Sequence, residues 1–262
     1  MRDLLEELYD SEKDADPVRL AQGHSGRQLP KRFYEQAAAA EDDGGFVVQL
    51  DGKTVRTPAR SVLKLQTRAL AELIADEWNS QEKLIDPAAM PATRLANTAL
   101  DGVALETEAV LEDVLRFAGT DLLCYRAGSP EGLVASQNEA WDPIIDWAHS
   151  RLGARFLLAE GVMHVEQPSE SLRAVNIHLK QFQDPFAVAA LHSMTSLTGS
   201  ALLALAVAFR EIEPEEAWAA AHVDEDWNIR QWGEDAEARL RRDFRQREMM
   251  AAANTLQAVT GG

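Results

Sequence analysis

The dipeptide Asp51-Gly52 constrains this chain more than any other pair of residues in it. It separates Phe46-Val47-Val48-Gln49-Leu50 from Lys53-Thr54-Val55-Arg56-Thr57, two runs rich in β-branched and apolar residues. A two-residue link between antiparallel strands needs positive φ at both positions, and Asp and Gly adopt it at little steric cost. A hairpin is therefore predicted. Pro58 interrupts it, because proline cannot donate to a sheet ladder, and Val62-Leu63-Lys64-Leu65 reads as the next short strand. The result is a small antiparallel β meander near the amino terminus.

Beyond it the pattern is helical. Leu70, Leu73, Ile74 and Trp78 recur on one helical face behind a Thr67 cap, and Val103, Val110, Leu111, Val114 and Leu115 form another. Asp142-Pro143, Asp184-Pro185 and Glu213-Pro214 each read as a cap followed by proline in the first helical turn. The first of these is expected to turn Trp141, Ile144, Ile145 and Ala148 to the core. Arg155-Phe156-Leu157-Leu158 reads as a further strand or a buried helical turn. A β-rich front and a helical back define an α+β protein. Residues 1–29 are expected to be a flexible arm with a short helix around Leu4 to Tyr9, residues 30–90 a β-rich domain and residues 91–262 a helical domain.

Composition excludes several classes of function. With 46% hydrophobic residues the 262-residue chain can bury a sizeable core. Against 43 Asp and Glu it carries 26 Lys and Arg, a formal charge of -17 that repels phosphate backbones and anionic membranes. The expected partner is a protein with basic or apolar surface, not nucleic acid. Cys124 is the only cysteine, which rules out an intrachain disulfide and a thiolate metal cage. The start, Met1 to Leu8, is acidic and lacks the basic-then-apolar order of a secretory signal. The longest apolar run, Ala201 to Phe209, is far below the roughly 20 residues that span a bilayer, so no membrane insertion is expected.

The candidate chemical motifs each read better as structure. Gly52-Lys53-Thr54 looks like the end of a phosphate-binding loop, but Val47 stands where that loop needs glycine and the segment reads as a hairpin. No lysine follows Thr198-Gly199-Ser200, which reads as a small-residue helix surface for close packing. Cys124 sits among leucines as a small buried hydrophobe does. His222 and Asp226, four apart, share a helical face, and with Glu215 they are the basis of an alternative reading as a metal-dependent hydrolase. Two ligands on one helix do not complete a site, and a solvated acidic helix accounts for the same residues. The even spacing of His164, His178 and His192 falls across separate elements. Arg239, Arg241, Arg242, Arg245 and Arg247 alternate with acids and read as a solvent-facing helix with Glu237–Arg241 and Asp243–Arg247 pairs. No catalytic residue, metal or cofactor is assigned.

Several stretches together resemble one family. They are Lys31-Arg32-Phe33-Tyr34, the hairpin Leu50 to Pro58, Glu77-Trp78-Asn79-Ser80-Gln81, Met90 to Asp101, Thr195 to Ser200, Asp226-Trp227-Asn228 and Gln231-Trp232-Gly233. In that order, from about Lys31 to Leu256, they are similar to the assembly chaperone of the F-type ATP synthase that handles the alpha subunit, in its bacterial form. The resemblance implies a non-enzymatic protein that binds unassembled alpha subunit and shields its interface until beta subunit arrives. It also implies no bound nucleotide and, with an acidic arm in place of a presequence, a bacterial cytoplasm. Mitochondrial relatives have a more basic, aromatic stretch after the Trp-Gly step, whereas Glu234-Asp235-Ala236-Glu237 follows here. Asp224, Glu225, Asp226, Trp227 and Trp232 are the expected partner-binding residues, on a helix from Glu215 to Gly233, because aromatic anchors cluster there with carboxylates.

Overall fold

The structure, a computed structural model, describes residues 29–161 and 163–261. The predicted arm and its helix around Leu4 to Tyr9 lie outside the described residues, apart from Leu29. The hairpin forms as the dipeptide requires. Asp51 and Gly52 take φ of 48° and 81°, and β2 (Gly45–Leu50) turns into β3 (Lys53–Thr54) with Leu50 opposite Lys53. β3 is shorter than expected. After Val55, whose amide still donates to Val48 O at 2.9 Å, the chain leaves β2 and bridges Arg56 to Val62, closing the Pro58 turn, while β4 (Lys64–Leu65) returns to pair with Phe46 and Val47.

One strand has no periodicity to announce it. Ala37–Asp42 (β1) pairs antiparallel with β2 from Ala37↔Leu50 to Asp42↔Gly45, although a run of four alanines favours a helix by propensity. Tertiary bonds decide the outcome. The Asn79 amide accepts from Ala37 N at 2.8 Å and donates to Ala37 O at 2.8 Å, pinning the first residue of the strand on its outer side. At its start, Asp51 accepts the backbone amides of Glu35 and Gln36, which hold its carboxyl below the usual range.

The helical part begins with α1 (Arg68–Asn79), where Thr67 Oγ1 accepts from Leu70 N as predicted, and continues through α2 (Pro91–Asp101) and α3 (Thr107–Gly119). A two-stranded parallel pair, β5 (Tyr125–Arg126) and β6 (Ala159–Glu160), flanks α4 (Glu131–Trp147). The helix α5 (Ser169–Leu179) precedes α6 (Pro185–Thr198), which starts at Asp184-Pro185 as expected. The short α7 (Ala201–Ala208) is buried on every side from Ala201 to Val207, which explains its uniform apolar sequence. α8 (Pro214–Ala221), α9 (Val223–Trp232) and the long α10 (Ala236–Thr260) complete the chain. α10 returns to the sheet end of the molecule, where Thr67 Oγ1 donates to Ala258 O at 2.8 Å.

Three expectations need correction. Asp142-Pro143 does not start a helix: both residues lie inside α4, which begins after Pro130. Trp141, Ile144 and Ala148 are nonetheless buried, and Pro143 is tolerated because it faces solvent, where water replaces the amide it lacks. Asp142 accepts instead from Arg126 Nη1 at 2.8 Å. Arg155 to Leu158 is neither strand nor helix, because Gln167 takes over its backbone partners, accepting from Leu157 N at 2.8 Å and donating to Leu157 O at 2.9 Å. Thr198-Gly199-Ser200 is a joint between helices, not a helix surface. Gly199, at φ 69°, ends α6, and Ser200 Oγ caps α7 by accepting from Leu203 N at 3.0 Å.

The joint is held from below by Asp121, which is fully buried. One carboxylate oxygen accepts from Leu123 N at 3.1 Å and the other from Leu202 N at 3.0 Å. Burial pushes its pKa up to about 6, against the pull of these donors and of Ser200. Next to it Cys124 is buried, and burial pushes its thiol up to about 12, so it carries no thiolate at neutral pH.

Candidate partner-binding site

The expected helix from Glu215 to Gly233 is two helices. Its start at Pro214 has a full capping box, with Glu213 N donating to Glu216 Oε2 at 2.9 Å. The break falls at His222, at φ -114° and ψ 18°, where neither Gly nor Pro marks it. The imidazole lies on the Trp218 ring, centroids 3.9 Å apart, and its Nδ1 is 2.8 Å from Trp218 O. Burial lowers its pKa, so the ring is neutral at pH 7 and Nδ1–H donates to that carbonyl.

This arrangement removes the metal reading. His222 is tied into the turn, Asp226 accepts from Arg242 of α10, and Glu215 is exposed at the start of α8. The Asp226 bond raises the Arg242 pKa further. Among the described residues no group of three His, Cys, Asp or Glu side chains is placed to hold a metal ion.

The five expected partner-binding residues divide into two sets. Asp224, Asp226 and Trp227 fix α9 to its neighbours. Asp224 Oδ1 accepts from Gln137 Nε2 of α4 at 2.7 Å, and Gln137 Oε1 accepts from Ala127 N at 2.8 Å. Trp227 is half-buried against Gly132. A Cβ at that glycine would come within 2.4 Å of the indole, so only glycine lets the ring lie against α4. Arg230 covers the same ring at 5.5 Å. The second set faces outward: Glu225, with 42% of its side chain exposed, and Trp232, which is 79% exposed at the end of α9. Leu240 on the first turns of α10 is also exposed. Glu237–Arg241 forms as predicted at 3.0 Å, but α10 is not simply a solvent-facing helix. Arg245 donates to Leu197 O, Arg247 lies over Phe244, and from Met249 to Leu256 the helix is largely buried.

A concavity elsewhere in the molecule has no signature in the sequence. A cleft of ≈ 560 Å³ runs between α1, the turn Pro87–Ala89, the start of α2 and α10, with Leu73, Ala88, Pro91, Met250 and Ala251 among its walls. Glu77 stands in it, yet its carboxylate is fully engaged. It accepts from Ala92 N, Thr93 N and Thr93 Oγ1, each at 2.7 Å. α2 has Met90 at its own cap position, with no side-chain acceptor, so a residue of another helix caps it. Burial raises the Glu77 pKa while these donors and Arg94 oppose the rise. Glu77→Ala leaves buried donors without an acceptor and is expected to cost about 2 kcal/mol, read as a lower denaturant midpoint at unchanged slope. A loss under about 0.5 kcal/mol, the range of ordinary surface substitutions, would mean that the cap is dispensable.

The same pattern holds for the other motif residues. Asn79 closes the β1 edge, Asp51 holds the entry to the sheet, and Asp101 accepts from Thr57 Oγ1 at 2.7 Å and Ala59 N at 3.0 Å. Their polar groups are spent on internal joints, while an indole is held out beside carboxylates. What this region offers outward is surface, of the kind an assembly chaperone can use.

The known proteins agree. The family model described as ATP12 chaperone protein matches residues 31–149. The Atu1473 protein of Agrobacterium tumefaciens is 53% identical, with a TM-score of 0.87 over 99% of this chain and 97% of that one. Atp12 from Paracoccus denitrificans is 38% identical, with a TM-score of 0.81 over 88% of this chain and 98% of that one. The mitochondrial protein atp12 of Schizosaccharomyces pombe is 25% identical over 223 residues, 79% of this chain and 75% of that protein. This chain belongs to the ATP12 family of ATP synthase assembly chaperones.

Proposed function

We propose that the chain holds the unassembled alpha subunit of the F-type ATP synthase and shields the surface through which that subunit meets beta, until beta displaces it. A lone subunit of a ring exposes an apolar interface prone to aggregation. A holder must cover it and still yield to the true partner. The observation that carries the reading is Trp232, 79% exposed at the end of α9, a helix whose first turn is acidic, on a chain of net charge -17. Charge steers the encounter and an aromatic anchor supplies a local energy that competition can overcome. The protein works without catalysis, as a monomer when free, in the cytoplasm of a bacterium. Among the described residues no helix is long and apolar enough to cross a membrane.

The test is co-expression with the alpha subunit of the same organism, followed by size-exclusion chromatography and mass spectrometry. A defined complex that dissolves on adding beta is expected; alpha aggregating as it does alone would refute the reading. Within that complex Glu225→Lys is expected to weaken binding about tenfold, by removing one steering charge and opposing another, with the unfolding midpoint unchanged. Asp226→Lys is a poor substitute, because it also breaks the joint to Arg242.

A further inference from the structure

β1 lies at the end of the strand order, with β2 on one side of it. In an antiparallel pair every second residue turns its N–H and C=O to the neighbour, and the residues between turn theirs away. Asp51 N donates to Gln36 O at 3.0 Å, which sets Gln36, Ala38, Ala40 and Asp42 as the residues bonded to β2. Ala37, Ala39 and Glu41 therefore point outward, and the Asn79 amide takes both backbone groups of Ala37. Among the described residues nothing takes those of Ala39 and Glu41. Proteins blunt such an edge with proline, lysine or a bulge, and the Ala37–Asp42 strand, in unbroken register, has none of these. We propose that an extended, basic segment of the held subunit adds to the sheet along residues 38–42. The proposal rests on the holder function and names a second contact of it.

The chemistry of the edge selects its occupant. Free backbone donors and acceptors in a row fit another extended backbone. Ala37 and Ala39 turn inward, while Ala38 is exposed on the other face, so a neighbouring strand meets only small side chains there. Charge then decides among extended segments. Glu41, Asp42 and Asp43 are exposed at the hairpin end of the edge. On α1, Arg68 reaches Glu41 at 3.5 Å and Asn79 reaches Ala37, so the flank between them, with exposed Glu72 and Asp76 at helical spacing, lies beside the strand. The cations facing these carboxylates are Arg68, shared between Glu41 and Glu72, and Lys64, whose Nζ donates to Asp43 O at 2.6 Å. A negative excess remains. At the hairpin end a hollow of ≈ 450 Å³, walled by Glu41, Asp42, Asp43 and Phe46, has room for a lysine or arginine side chain. The same charges oppose edge-to-edge pairing with a second copy, which would bring its own carboxylates to the contact.

Residue-resolved hydrogen exchange of the full chain reads the edge directly. It is run on the free protein, on its complex with alpha subunit, and with a peptide of about eight alternating valines and lysines, a strand of the stated chemistry. The Ala39 and Glu41 amides are expected to exchange at least about tenfold more slowly with alpha subunit or peptide bound. Those of Ala40 and Asp42, already bonded to β2, should change little. Ala39→Pro removes one outward N–H and leaves the bonds to β2 in place, so it is expected to weaken alpha binding about tenfold at an unchanged thermal midpoint. Ala40→Pro, which breaks the ladder, should lower that midpoint. If Ala39→Pro does not fold, exchange in the wild type decides alone. An alpha complex with no slowing at Ala39 and Glu41 overturns the inference and leaves the holder function standing. If no alpha complex forms, the holder function falls and the peptide decides: slowing at the two amides sustains the edge as a strand acceptor, and none overturns it. Slow exchange there in the free chain, or slowing that grows with protein concentration alone, would overturn it as well.

Discussion

Asp121→Ala is expected to lower the stability of this protein by about 2 to 4 kcal/mol near neutral pH, because buried amide donors then lose their acceptor. Leu123 N and Leu202 N both end on that carboxylate, and Ser200 bonds to it as well. Leu202 lies in the first turn of α7, whose burial from Ala201 to Val207 leaves no water to replace the lost partner. The effect has a pH signature. The native carboxyl titrates at about 6 against an ordinary 3.8, so the folded state holds the proton more tightly than the unfolded one. Asp121 therefore contributes most below pH 3.8, and that part of its contribution fades as pH rises through 6. The gap between wild type and Asp121→Ala is expected to be wider at pH 5 than at pH 8, by about 1.4 kcal/mol. Denaturant melts at the two pH values measure it. A pH-independent gap would mean that Asp121 is ionised throughout; a gap below 1 kcal/mol would mean that it is no keystone.

How much of this was legible in the sequence depends on whether a local rule or a distant partner decides each element. Asp51-Gly52 forms its turn because the constraint is on two backbone torsions, and Thr67, Asp184 and Glu213 cap helices because a cap acts within one turn. Ala37–Asp42 was invisible, since alanines carry no strand signal and the strand is pinned at Ala37 by Asn79, forty-two positions later. Asp142-Pro143 misled because a proline on the solvent side of a helix resembles a helix start. The break at His222 has no sequence mark either, as the imidazole itself supplies the turn's hydrogen bond.

The site follows the same division. The gathering of tryptophans and acids on α8 and α9 could be read, but which of them face outward could not. Trp218 is buried under His222, Trp227 is wedged on Gly132, and Trp232 stands in solvent, though all three share one acidic stretch. Trp227 is placed by Gly132 in α4 and its neighbour Asp226 by Arg242 in α10, residues outside that stretch. The cleft was beyond reach for the same reason, its walls being drawn from α1, α2 and α10. The motifs that signal the family are mostly joints: Glu77 caps α2, Asn79 closes β1 and Asp101 pins the Pro58 turn. They identify the fold strongly and the binding face weakly.

Trp232→Ala separates the two. The residue is 79% exposed at the end of α9, just before Gly233 turns the chain at φ 86°, and nothing in the fold rests on its ring. Its removal is expected to change unfolding stability by less than about 0.5 kcal/mol, as surface substitutions do. Under the proposed holder function the same change removes the largest apolar anchor of the face. It should weaken the complex with alpha subunit by about 2 kcal/mol or more, roughly thirtyfold in Kd. Trp227→Ala is the contrasting case, because it empties the contact with Gly132 and leaves α9 tied to α4 by the Gln137–Asp224 bond alone, so stability and binding should fall together. Calorimetric titration of alpha subunit against the two variants, with a melt of each, decides the matter. Full affinity in Trp232→Ala would remove the end of α9 from the binding face and direct the search to the cleft between α1 and α10.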